Sequence, residues 1–182
     1  VESSGLKLNV LSNPLCSYDD VIFSGVFNPV YNSKWDFDGG TQQYYNGFAS
    51  ENEEKQIVNW DKGGSHNVVL TVSHKYCVDK AEVEVNLKER IFADYMISDP
   101  GEDVPAMVYF SNITNVGDRE YNRFDDIEFE WNFGDGETSS EQNPDHLYLY
   151  PGIFNPVLIA KSLIGCSDTI KGRSIKLGED IS

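Results

Sequence analysis

The chain has 182 residues, 40% of them hydrophobic and 13% aromatic, with 15 Gly, 7 Pro and a formal net charge of −16. That is apolar material for one large core or two small ones, and too little Gly and Pro for a fibrous or low-complexity chain. The negative charge, with no Lys/Arg cluster set against it, excludes a nucleic-acid partner and an anionic membrane surface, and no run of about 20 apolar residues could insert in a membrane. Residues 1–89 carry 7 basic and 13 acidic side chains and residues 90–182 carry 7 and 17, so neither half is a polyacidic tail. Such a surface keeps a repetitive protein soluble and suits the outside of a cell. The sequence begins at Val1 with neither Met nor a signal-like apolar stretch, and is read as a mature product or an excised fragment.

Period-2 alternation predicts strands over 6–11, 21–24, 57–60 and 66–73. It is clearest at 80–87, where apolar residues at 81, 83, 85 and 87 alternate with polar ones. The boundary that follows, Lys88-Glu89-Arg90-Ile91-Phe92-Ala93, holds no Gly, Pro or Ser, so no flexible linker is expected there. Further strands are predicted over 92–97, 106–111, 127–133, 154–161 and 170–177. Pro156 cannot donate a ladder hydrogen bond and must lie at an edge or a bulge. Many short strands separated by turns, with no helical periodicity, indicate an all-β sandwich or barrel.

The features repeat. Val21-Ile22-Phe23-Ser24-Gly25 matches Val108-Tyr109-Phe110-Ser111-Asn112 at an offset of 87. The segments at Gly64 and Gly152, at Cys77 and Cys166, and at Val85 and Ile175 match at 88, 89 and 90. Trp35-Asp36-Phe37-Asp38-Gly39-Gly40 pairs with Trp131-Asn132-Phe133-Gly134-Asp135-Gly136 at 96, so loops of different length flank these strand ends, at 41–54 and 114–126. A slowly drifting offset means two homologous domains, 1–89 and 90–182.

The second copy continues from Trp131-Asn132-Phe133-Gly134-Asp135-Gly136 to Asn143-Pro144-Asp145-His146-Leu147-Tyr148 and Pro151-Gly152-Ile153-Phe154. These residues resemble the PKD signature, WDFGDG followed by NPxHxY and PGxYxVxL. The first copy is more diverged, with Trp60 and His66 where Tyr148 and Phe154 stand later. The resemblance implies two consecutive immunoglobulin-like (PKD) β-sandwiches. The elements Gly165-Cys166-Ser167-Asp168 and Tyr76-Cys77-Val78-Asp79 are similar to PKD-like repeats of gliding and other Bacteroidetes surface proteins. That likeness implies spacers or adhesive repeats exported by a dedicated outer-membrane secretion route.

Physically, Trp131 is expected in the core between the sheets. Gly134-Asp135-Gly136 and Asp38-Gly39-Gly40 supply a tight turn, with a cation site as the alternative. His146 is expected to bond a neighbouring backbone group, since no second His or Cys lies near it; His66 and His74 lack metal-ligand spacing. Catalytic, cofactor-binding and metal residues are therefore expected to be none: no nucleophile elbow, HExxH or phosphate loop occurs. Calcium is expected to be dispensable, because the acids do not alternate as in a calcium loop.

Three cysteines cannot all pair within one chain. Cys16 precedes the strand near Val21 and Cys77 ends the strand from His66, so a Cys16–Cys77 disulfide would tie an early strand to a late one; three reduced thiols are the alternative. Cys166 has no equivalent of Cys16 beside it and is expected to be free and buried. Asn112-Ile113-Thr114 fits the N-glycosylation sequon and Asp168-Thr169-Ile170 resembles a short O-glycosylation motif; coincidence and an ordinary strand Thr are the alternatives.

The function expected is a non-catalytic extracellular spacer or adhesive repeat of a large bacterial surface or secreted protein. Its partners would be neighbouring repeats of the same polypeptide, with surface polysaccharide or protein as further candidates. The alternative is an accessory polymer- or carbohydrate-binding module of a secreted hydrolase. Its contacts would be Tyr44, Tyr45 and Phe48 in the first insertion, unless that loop folds back over the sandwich edge.

Overall fold

The computed structural model describes residues 4–12, 14, 16–42, 48–50, 52–117, 126–163 and 165–178, with backbone alone at 48–50. The chain divides into two compact units, Val1–Arg90 and Ile91–Ser182. The elements that the described residues form in full are β-strands.

The first unit holds β1 (Lys7–Ser12), β2 (Val21–Val26), β3 (Asn32–Asp36), β4 (Thr41–Gln42), β5 (Phe48–Ser50), β6 (Glu53–Asn59), β7 (Gly64–His74) and β8 (Cys77–Leu87). One antiparallel sheet runs β1-β2-β6-β4 with β5 on β6, and the other runs β3-β7-β8. Alternation buries one face of each. Val21, Phe23, Val58 and Trp60 of the first sheet meet Val68, Val85 and Leu87 of the second. Each such side chain contributes about 1.5–3 kcal/mol by leaving water. Phe27, Tyr31, Leu70 and Val72 form a second cluster, against which Trp35 and Cys77 pack. Gly25 has to be small, since a Cβ there would lie 2.5 Å from a Leu70 methyl and 2.8 Å from the Trp35 ring. Strand β6 starts earlier than alternation predicts. Its polar start is accommodated because the hydroxyls of Ser24 and Ser33 donate to Glu53 (2.6 Å) and Glu54 (2.7 Å).

The second unit holds β9 (Ile91–Phe92), β10 (Tyr95–Ile97), β11 (Ala106–Asn112), β12 (Asn115–Val116), β13 (Ile127–Asn132), β14 (Thr138–Ser139), β15 (Asp145–Tyr148), β16 (Gly152–Phe154), β17 (Val157–Ser162), β18 (Ser167–Lys171) and β19 (Ile175–Leu177). Its larger sheets run β14-β13-β17-β18 and β10-β11-β15, with β9 paired to β12 and β16 to β19. Three expected strands are each broken in two. The 92–97 strand breaks where the Ala93 N–H donates to the Asp168 carboxylate (2.9 Å). The 154–161 strand breaks at Asn155-Pro156, where the chain leaves its pairing with β19 and joins β13 and β18. Pro156 has no N–H to give, and its carbonyl accepts from Gly172 N (3.1 Å) and the Tyr95 hydroxyl (2.8 Å). That same corner interrupts the 170–177 strand at residues 172–174.

The signature cluster as candidate functional site

Trp131 projects inward from β13 and is fully buried. The rings of Tyr95 and Phe110 stand 5.1 and 5.3 Å away, and its indole N–H donates to the Glu141 carbonyl at 2.8 Å. The strand then ends in a turn locked by side chains. Asn132 Oδ1 accepts from Gly134 N (2.9 Å) and Asp135 Oδ1 from Glu137 N (3.0 Å). Gly134 has φ of +87°, and a Cβ there would lie 2.7 Å from Asn155 N. Only glycine meets both conditions without strain.

Strand β15 reaches this turn from the opposite sheet. His146 Nε2 donates to Asp135 Oδ2 at 2.7 Å, and its ring stacks on Phe133 with centroids 4.0 Å apart and planes 6° off parallel. Tyr148, fully buried, donates its hydroxyl to the Phe133 carbonyl at 2.8 Å. Asn143 Oδ1 accepts from Asn112 N (2.8 Å), and the Pro144 carbonyl accepts from Phe110 N (2.9 Å). The NPxHxY residues thus bind β11 and the end of β13 together. His146 bonds a carboxylate rather than the backbone group expected, because the turn brings Asp135 within its reach.

Burial alone would raise the Asp135 carboxyl, but the hydrogen bonds from His146 and Glu137 outweigh it and hold it below the usual range. Burial, with the Asp135 charge adding to it, pushes the Tyr148 hydroxyl far up, so it remains a donor at any physiological pH. Burial likewise raises Tyr95.

The first unit repeats this arrangement with other side chains. Asp36 Oδ1 accepts from Asp38 N (3.1 Å), as Asn132 does from Gly134. Trp60 Nε1 donates to the Phe37 carbonyl at 2.9 Å, as the Tyr148 hydroxyl does to Phe133. Trp60 stacks on His66 with centroids at 4.8 Å, and Tyr148 packs on Phe154 at 4.4 Å. Asp38 lies against Asn67 (3.2 Å), as Gly134 lies against Asn155.

The Cys16–Cys77 disulfide expected from the sequence is absent. Cys77 is a free, half-buried thiol, whereas Cys16 and Cys166 are disulfide-bonded. Cys16 bridges to Lys88, just past the end of β8, while Cys77 opens that strand opposite His74. The eleven-residue strand β8, roughly 33 Å long, separates the two positions, against the 7 Å or so that a disulfide can span between Cα atoms. Cys166 is buried as expected, but it is not free.

Tyr44 and Tyr45 lie outside the described residues, and the backbone of Phe48 pairs with Glu54 through β5 and β6. The sequon residues Asn112 and Thr114 are both buried, and the Asn112 side-chain Oδ1 accepts from Thr114 N (2.9 Å), so the motif serves a turn. Among the described residues no group of three or more His, Cys, Asp or Glu is placed to hold a metal ion. His146 is paired as a base would be, yet Phe133 covers one ring face and Tyr148 meets it edge-on at 4.6 Å.

Residues 113–176 match the family model described as PKD domain. The second unit contains a PKD domain. The match opens just after β11 and takes in the whole Trp131-to-Tyr148 cluster, so the PKD signature and the inter-sheet clamp are the same residues. Among solved structures, the chain is similar to the PKD1 domain of Vibrio anguillarum Epp, at 22% identity over 49% of this chain and 94% of that one, with a TM-score of 0.40. It is also similar to the Ig1–Ig3 ectodomain of mouse nectin-like molecule 4, at 12% identity over 98% of this chain and 66% of that one (TM-score 0.35). The amphioxus IgVJ-C2 molecule matches at 11% identity over 98% and 99% (TM-score 0.36). Beside the PKD match, the antiparallel sheets with a shared apolar core are those of immunoglobulin-like β-sandwiches.

Proposed function

We propose that this chain is a non-catalytic extracellular module pair, acting as a structural spacer or adhesive repeat of a larger bacterial surface or secreted protein of the gliding or adhesion type. The observation that carries this reading is the use made of the signature residues. Trp131, Asn132, Asp135, Asn143, His146 and Tyr148 each direct a polar atom at another part of the same unit. Residues so engaged hold a sandwich shut and leave no group poised for a substrate. The first unit, with Trp60 donating to Phe37 in the same way, is read as a second, diverged PKD-type module. PKD domains are typically extracellular, and a disulfide suits an oxidising compartment. No helix among the described residues is long and apolar enough to cross a membrane. The partners in this reading are neighbouring repeats of the same polypeptide.

The test uses Tyr76, which is fully exposed at the tip of the β7–β8 hairpin. An epitope inserted after Tyr76 in the full-length host protein should be reached by antibody on intact cells or recovered from the medium. An epitope detected only after lysis would contradict an extracellular role.

A further inference from the structure

The outward face of the β10-β11-β15 sheet is apolar where a sandwich normally turns polar residues to water. Along β11 the inward Ala106, Val108 and Phe110 are buried, and the outward positions carry Met107 (41% exposed) and Tyr109 (59%). Met107 stands directly opposite Leu147 (41%) of β15, and Met96 (58%) of β10 stands opposite Ser111. Tyr109 therefore has Met96 and Leu147 as its diagonal neighbours. Four large apolar side chains on adjacent strands make one patch, not scattered exposure.

Among the described residues, the charged groups that flank the patch on its own face are acidic. Asp145 faces Tyr109 across the β11–β15 ladder, Asp94 precedes Met96 on the same side, and both are exposed. No Lys or Arg occurs in residues 91–117 or 126–160, which include all three strands. Arg173 and Lys176, which reach the end of β10, line a cleft there together with Asp99 and Glu102. An apolar centre with an acidic rim is complementary to an apolar centre with a basic rim. A second copy of this chain would set Asp94 and Asp145 against like charges. One tyrosine among flexible Met and Leu chains offers no flat aromatic platform for a sugar polymer, whereas methionines adapt well to a protein surface.

We infer that this face binds a basic, amphipathic segment of a partner protein, seated on Tyr109, Met107 and Leu147. The inference rests on the reading of the chain as a contact-making module and gives that role a partner class.

The test titrates the whole chain with a short amphipathic leucine–lysine helix, using polylysine and the matching leucine–glutamate helix as comparators. Tyr109→Ser and the double variant Met107→Ser/Leu147→Ser alter exposed side chains and leave the charge unchanged; unaltered circular dichroism and melting confirm their fold. The expected result is binding of the leucine–lysine helix that weakens with salt and falls by about tenfold or more in both variants. No binding, or equal affinity for wild type and variants, would overturn the proposal, the latter because general surface charge would suffice. Variant-sensitive binding of the leucine–glutamate helix or of a soluble glucan, or a dimer dissociated by Tyr109→Ser, would overturn it in favour of another occupant. None of these outcomes bears on whether the epitope at Tyr76 is extracellular, so the two readings fail separately.

Discussion

The carbonyl of Phe133 accepts the one hydroxyl of Tyr148, and the carbonyl of Phe37 accepts the indole N–H of Trp60. Two chemically different donors thus meet one need, a buried backbone acceptor at the end of the signature strand. Tyr148→Phe keeps the ring and strands that carbonyl, so urea denaturation should show a loss of about 1–3 kcal/mol. An unchanged midpoint would mean that the carbonyl finds another donor. Asp135 gives a pH signature of defined sign. Its folded-state carboxyl is held below the unfolded value of about 3.9, so its contribution is present above that pH and lost as pH falls through the lower folded value. Asp135→Asn should therefore flatten the decline in stability below about pH 4, and an identical acid limb in wild type and variant would contradict the assignment. The signature residues were legible in the sequence, and so was the inward Trp131. The Asp135–His146 pair was not, because it depends on a turn bringing together residues eleven apart, which no periodicity encodes.

At the scale of elements, alternation located β7, β8, β11 and β13, whose one-sided burial is the signal it measures. It missed β3, a strand of Asn, Ser and Lys around Trp35, because pairing with β7 and not burial holds those polar residues extended. It ran β16 into β17 and β18 into β19, since a change of sheet leaves the chain extended and the apolar residues continuous. Pro156 marks the corner, and Gly134 presses on it from the turn after β13 with its Cα facing Asn155. Gly134→Ala would add a positive-φ penalty of about 1–2 kcal/mol and a backbone clash that can double it. Thermal unfolding should show a melting temperature lowered by several degrees. A variant as stable as wild type would mean that the corner yields easily.

For the whole molecule, the cysteine pairing was not legible, because strand order fixes which strands neighbour but not which end of a long strand a residue occupies. Cys16 and Cys77 belong to opposite ends of β8. Peptide mapping should find Cys77 alkylated without reduction and Cys16 and Cys166 only after it; a linked Cys16–Cys77 peptide would contradict the structure. Two sandwiches, each closed by its own donor to the Phe37 or Phe133 carbonyl, should fold as separate modules. Pulling the reduced chain from its two ends tests this most directly. Two unfolding events are predicted, each releasing about 90 residues or roughly 300 Å of contour. A single event near 600 Å would contradict the account, because the two units would then be one cooperative body.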